Sequence, residues 1–414
     1  MSHAPPLGSF GRGAASLAAV AFAAIPFACG GGPEPVWSAD IAPLVGARCA
    51  SCHRTDGAVF SLETYEAARA NGPAIAYVTS KRIMPPWPPG GGEGCPRLEG
   101  DRDLSQGEID RIDAWVHAGM PEGEPNVRAH AAGAFGTLDG VSVVFGPDQP
   151  YTPDPTIDDY HCFLFDPKLT SDAFITAYRV DAGPGVHHIQ LWELNEESAA
   201  LEAQAIDAAS PEPGYACSAW AGASARYLTV WGQGDPVRRH PAGTGIRLRA
   251  GKKLSFQVHY HLGATPDRTS IGLVLADHVA EEATMLGLAA HGFVLEPHAA
   301  ATSVHAEELS LTTDVQLWGV RAHMHGLGSI AHVGWRAPGS GAADAQCLLD
   351  IPQWNANWQL MYFYPQAIPL HAGDLVNLDC TYDTRSVDHV VKDGPTINDE
   401  MCGGYLYVTG LSTP

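Results

Sequence analysis

The sequence predicts a mainly β protein, with two β-sandwich units behind a small α-helical domain. Three observations carry this. Past residue 135, apolar residues come in short alternating or β-branched runs. Turn residues punctuate those runs, with 45 glycines and 32 prolines among 414 residues. Residues 36–125 instead place their apolar positions at helical spacing. The chain is too long for one ordinary core and divides into two to three domains. Its 45% hydrophobic and 17% charged residues are those of a globular protein. A net charge of −22 argues against nucleic acid or an anionic membrane surface as partner.

Residues 1–28 read as an export signal, with Arg12 ahead of an uncharged, mostly apolar run over 14–28. That run is too short to span a bilayer. Ala28-Cys29-Gly30 resembles a bacterial lipoprotein cleavage site, although Pro26 and Phe27 depart from the usual residues upstream. The expectation is an exported protein, periplasmic or associated with the outer membrane, whose only membrane attachment would be lipid on Cys29. Export permits disulfides.

The helical domain, 36–125, opens with residues 38–45 leading into Cys49-Ala50-Ser51-Cys52-His53. Residues 62–69 suit a second helix. Ser105 as N-cap with Glu108 as capping-box partner starts a third, which places Ile109, Ile112, Trp115 and Val116 on one face and ends at Met120-Pro121-Glu122-Gly123. C-x-x-C-H is the c-type haem attachment signature: two thiols form thioethers to the haem, and the adjacent His53 ligates the iron. A zinc site would need a second ligand pair nearby, and none follows in this domain. The sixth iron ligand is expected at Met84, where following prolines hold the loop extended, with Met120 as the rival. Residues 37–123 resemble small cytochrome c domains, which leaves Cys95 unexplained.

Strands are expected over 141–145, 174–180, 189–194, 254–261, 315–323 and 375–382, with one helix over 196–209. About 275 residues of this kind are better divided into two sandwiches than held as one.

Nineteen histidines fall partly in clusters. His187-His188 opens a strand, His259 and His261 share a strand face, and His323 and His325 repeat that geometry. Arg321 shares the face of His323 and His325, and Met401 shares one with Tyr405. Imidazoles with a thioether suit copper, which cycles between Cu(II) and Cu(I). His187 and His188 would point to opposite faces of a regular strand, so one metal requires a kink, which Gly183-Pro184-Gly185 makes accessible. His291, His298, His305, His332, His371 and His389 read as surface or loop residues, and His261 as solvated or supporting.

Five ordered stretches resemble the type 2 copper, ascorbate-dependent monooxygenases, the family of peptidylglycine α-hydroxylating monooxygenase and dopamine β-monooxygenase. They are Asp158-Asp159-Tyr160-His161-Cys162, His187-His188, the run from Pro236 to Tyr260 bearing His259, Arg321-Ala322-His323-Met324-His325, and Asp399-Glu400-Met401-Cys402 with Tyr405. The resemblance covers about 140–414. It implies two jelly-roll domains, 138–285 and 286–414, with one copper in each. His187, His188 and His259 would hold the electron-transfer copper. His323, His325 and Met401 would hold the copper where oxygen and substrate meet, with Tyr405 beside them. Arg321 and Tyr160 would contact substrate, Arg321 through a carboxylate. The resemblance also implies disulfides Cys162–Cys217 and Cys380–Cys402, leaving Cys95 and Cys347 free or paired. Gly403 stands where the peptide enzyme has an asparagine, so the pocket is altered.

The expected activity is hydroxylation of a C–H bond in a small molecule or peptide with O₂. Its electrons would come from ascorbate or another reductant, or from the chain's own haem fed by an upstream donor. A non-enzymatic copper and haem electron carrier, or a copper-binding protein, is the alternative.

Overall fold

The computed structural model describes residues 34–55, 59–86, 94–100, 103–130, 137–156, 159–217, 224–235, 237–260, 263 and 265–411. The expected export signal over 1–28 lies outside them, as do Cys29, Trp87, Asp158, Pro236 and His261. The fold is mainly β, with a helical N-terminal part.

In the N-terminal part Trp37–Ile41 runs into Ala42–Arg48, and the later helices are Tyr65–Ala70, Gly72–Ser80 and Gln106–His117. The Ser105 side chain accepts from Glu108 N, and the Glu108 carboxylate accepts from Ser105 N at 2.7 Å, closing the capping box. The helix expected at 62–69 starts at Tyr65, because Thr64 is its cap and accepts from Ala67 N at 3.2 Å. Helix Gly72–Ser80, with Pro73 in its first turn, was not expected. Trp37, Ile41, Ile109, Ile112 and Trp115 form the core of this part.

The strands make three main sheets among the described residues. One has nine strands, eight of them in the order Val143–Phe145, Ser270–Ala276, Ala173–Asp181, Thr244–Leu248, Glu281–Ala290, Cys402–Thr409, Val315–His323, Tyr362–Leu370. The ninth, Arg238–Arg239, pairs Ala173–Asp181. A five-stranded sheet runs Tyr215–Ala216, Asp159–Phe165, Leu254–Tyr260, Val186–Leu194, Ala225–Gly232. The other five-stranded sheet centres on Leu375–Tyr382 and Gly328–Arg336. Ile175, Ile189, Phe256, Val258 and Ile271 fill the core between the first half of the long sheet and the former five-stranded sheet. Leu317, Val320, Val333, Leu378 and Leu406 fill the core between its second half and the latter. The long sheet is continuous across residues 285 and 286. Glu281–Ala290 pairs Thr244–Leu248 in parallel and Cys402–Thr409 antiparallel.

Three disulfides join Cys162 to Cys217, Cys380 to Cys402, and Cys95 to Cys347. The last ties the N-terminal part to strand Gln346–Ile351, 252 residues away. Beside it Leu98 is buried in the C-terminal core and Glu99 N donates to Phe363 O at 2.7 Å. No helix among the described residues is long and apolar enough to cross a membrane.

Candidate metal centres

Two histidine clusters form on strands of different sheets. The first combines His187 and His188, on strand Val186–Leu194, with His259 on its neighbour Leu254–Tyr260. Adjacent residues reach one point because the ladder is irregular there. Val186 pairs Tyr260 and His188 pairs His259, so His187 is an extra residue, a β-bulge. On the two strands Ile189, Leu191, Phe256 and Val258 face the core, while His188 and His259 face the other way.

The three Nδ1 atoms converge. His187 and His259 are 2.9 Å apart, His188 and His187 3.1 Å, and His259 and His188 3.3 Å. Imidazole bonds to one metal of about 2.0–2.1 Å would set nitrogens roughly 3.3–3.5 Å apart, so this spacing is close to that of a shared ligand set. His187 Nε2 donates to Ala356 O at 3.1 Å, which leaves its Nδ1 lone pair facing the cluster. Burial, then the neighbouring His259 and His187, hold His188 well below the usual histidine range, keeping it neutral and able to ligate. The Tyr160 ring stacks on His259 at 4.0 Å with 6° between planes, so Tyr160 sits at this cluster.

His323 ends strand Val315–His323, and His325 lies just beyond it. Their rings are 5.2 Å apart and nearly perpendicular. His325 Nδ1 donates to Asp399 O at 3.0 Å, and His325 Nε2 is buried without a hydrogen-bond partner. A buried, unpartnered imidazole nitrogen is costly unless something binds it, and a metal ion does. His323 Nδ1 donates to Gln359 Oε1, leaving its Nε2 as the candidate ligand atom. Burial, then Arg321 and His325, push His323 well below the usual histidine range. Soft-to-borderline imidazole donors of this kind suit copper.

The segment 399–402 braces this cluster. Glu400 accepts from His325 N at 2.8 Å and Leu327 N at 2.6 Å. Tyr382 Oη donates to Met401 O at 2.7 Å, and Cys402 is bridged to Cys380. Met401 therefore lies between Glu400, which holds His325, and Gly403, which pairs His323 across the ladder.

Arg321 pairs Tyr405 in the same ladder. It is 1% exposed, its Nε has no partner, and no carboxylate pairs with it among the described residues. Its Nη2 donates to Gln359 Oε1 at 3.4 Å. The Tyr405 ring stacks on Tyr227 at 4.0 Å with 2° between planes, joining the back of the five-stranded sheet to the long sheet.

Gln359 was not legible in the sequence. Its Nε2 donates to Ala356 O at 2.6 Å and Met324 O at 3.4 Å, which orients Oε1 toward His323 and Arg321. Because Ala356 O also receives His187, a single buried amide lies between the two clusters. It belongs to an irregular stretch with no periodicity to mark it.

In the N-terminal part, Cys49 and Cys52 stand outside the three disulfides. Burial, then the neighbouring Cys52, push the Cys49 thiol up to about 12. His53 Nδ1 donates to Phe60 O at 3.0 Å, which leaves Nε2 for another partner. Val59, Phe60 and Ile83, beside His53 and Met84, are 45%, 58% and 46% exposed. Met120 Sδ would lie 2.3 Å from a Cβ on Gly72, so it is lodged against helix Gly72–Ser80.

Among solved structures the chain is similar to VP2 of an infectious bursal disease virus subviral particle, at 10% identity over 67% of this chain and 74% of that one, with a TM-score of 0.19. It is also similar to a chain of the Sputnik virophage, at 8% identity over 69% and 89%, with a TM-score of 0.21. Scores this low carry no argument. No curated protein matches the chain. Residues 290–410, which hold both members of the second histidine cluster and Met401, match the family model of the copper type II ascorbate-dependent monooxygenase C-terminal domain.

Proposed function

We propose that the protein is a copper-dependent monooxygenase that hydroxylates a C–H bond of a small-molecule or peptide substrate with O₂ and two electrons. The observation that carries this is the pair of clusters: three converging Nδ1 atoms in one, and the unpartnered, buried His325 Nε2 in the other. Bound copper would supply one-electron redox chemistry and the centre at which oxygen is activated. His187, His188 and His259 would hold the electron-transfer ion. His323, His325 and Met401 would hold the oxygen-side ion, with the Met401 thioether favouring Cu(I). Arg321, buried and without a carboxylate partner among the described residues, would take an anionic group of the substrate, with Tyr405 lining the same pocket. Tyr160 would fix the His259 ring. The two metal-holding halves correspond to 138–285 and 286–414.

Oxygen uptake with ascorbate across phenethylamines and C-terminal-glycine peptides, with mass spectrometry of products formed under labelled O₂, tests this reading. Label should enter one product, and Met401→Ala should abolish hydroxylation. Copper-loaded Met401→Ala turning over at the normal rate would reject the assignment. Reduction without any oxygenated product would favour a non-enzymatic carrier.

We also propose that Cys49, Cys52 and His53 attach haem c, with Met84 as sixth ligand, and that the haem, or ascorbate, supplies electrons to the triad. With His53 Nδ1 bonded to Phe60 O, its Nε2 is the candidate iron ligand, and exposed Phe60 beside it at 4.8 Å fits a macrocycle that would cover it. Met120, already lodged against Gly72, is the poorer ligand. Intact mass and the haem spectrum of the exported protein test this, and Met84→Ala should lose the Met-ligated signature. Export through residues 1–28, with lipid on Cys29, completes the proposal.

A further inference from the structure

The segment carrying Cys52 is fastened to the β unit. Cys95 is bridged to Cys347, Leu98 is buried in the C-terminal core, and Glu99 N donates to Phe363 O. Cys52 itself packs against that core. At Gly234, where φ is +82°, a Cβ would lie 2.4 Å from Cys52 Sγ and 2.7 Å from Trp358 Cζ3. Only glycine suits both that backbone and that crowding. The Cys52 sulfur and the Trp358 indole therefore share one contact point and lie within about 5 Å of each other. Trp358 is two residues from Ala356, whose carbonyl receives His187 Nε2–H at 3.1 Å, and His187 Nδ1 belongs to the triad.

We propose that the loop 355–359, entered at Trp358, is the electron route from the C-x-x-C-H segment to the His187, His188 and His259 triad. This rests on the haem reading above and adds the path. Cys52 Sγ would be a thioether to the haem, and Trp358 is the aromatic side chain that shares its contact point. From there the route is one through-space contact, two residues of backbone and one hydrogen bond onto a candidate ligand. With both groups bound, one electron would move from ferrous haem to Cu(II) held by the triad, leaving ferric haem and Cu(I). No bond is made or broken and no proton is transferred. The disulfide to Cys347 and the Gly234 contact hold the through-space gap short.

The experiment uses the full chain loaded with haem and copper, under argon. A photochemical one-electron donor reduces the haem in a flash, and decay of the ferrous haem absorbance is followed. Copper-loaded wild type should show decay that copper-free protein lacks. Trp358→Leu, with haem and copper content unchanged, should slow it at least tenfold. Trp358→Phe keeps an aromatic core residue but loses the ring edge that meets Cys52, and should slow it at least threefold. An unchanged rate in either variant overturns the route. Ferrous haem that persists in copper-loaded wild type rejects haem-to-copper transfer itself, and a purified chain without covalent haem rejects the attachment. Either result removes the route with it.

Discussion

His187 and Gln359 donate to the same oxygen, the carbonyl of Ala356, at 3.1 and 2.6 Å. Because Gln359 also receives His323, the Gln359 amide links the ring of His323 to the carbonyl that holds His187. Gln359→Leu should weaken copper binding at the His323 cluster by about 10- to 100-fold, the usual cost of removing a ligand's hydrogen-bond partner. The triad, which keeps its own bond to Ala356, should change less. A stepwise anaerobic Cu(I) titration against a competing chelator reads both sites, and equal affinities in variant and wild type would contradict the account.

Glu400 receives two backbone N–H groups, from His325 and Leu327, with its two carboxylate oxygens. Glu400→Gln turns one acceptor into a donor facing an N–H. The expected cost is about 1–3 kcal/mol of stability, together with copper lost from the His323 cluster before the triad. Urea unfolding and copper stoichiometry check this. A variant with wild-type midpoint and two tightly held coppers would show that the carboxylate has no such bracing role.

Removing the Cys95–Cys347 bridge, as the double serine variant, should lower stability by about 2–4 kcal/mol, since it closes a very long loop. The same variant should slow haem-to-triad transfer, because the Cys52 segment loses a fastening. Denaturant midpoints and the flash experiment measure the two effects separately.

Burial pulls His240 down to about 4, against an ordinary value of 6.5. As pH falls below 6.5 the unfolded chain takes up a proton that the folded chain refuses until about 4. His240 should therefore leave stability unaffected above pH 6.5 and lower it between there and pH 4, by about 3 kcal/mol in all. Buried His188 and His323 act with the same sign in copper-free protein. Comparing wild type with His240→Gln at pH 7.5 and 5 isolates its share. An equal pH slope in the two proteins would count against it.

The strand-rich fold was legible because alternation and turn residues are local signals, and so was the capping box at Ser105 and Glu108. The helix read at 196–209 is Glu197–Ala209. The histidines were visible as a doublet and as alternate pairs, but which rings meet depends on ladder register, a tertiary property. Sequence showed that His187 and His188 needed a kink. It did not show that a bulge against Tyr260 and His259 provides one. Cys95 and Cys347 could not be paired across 252 residues. Gln359 and Trp358 sit where no period exists, and their roles come entirely from what folds around them. The sequence suggested two sandwiches, but not that strand Glu281–Ala290 is hydrogen-bonded into both halves of one sheet, which is again a matter of register.

That shared strand has a mechanical meaning. Swinging one half against the other would break ladder bonds on one side of Glu281–Ala290, so the halves have no cheap hinge there. The spacing of the two histidine clusters, one on each side of the buried Gln359 amide, is then held by the sheet. Two metals held there would keep their separation from one turnover to the next.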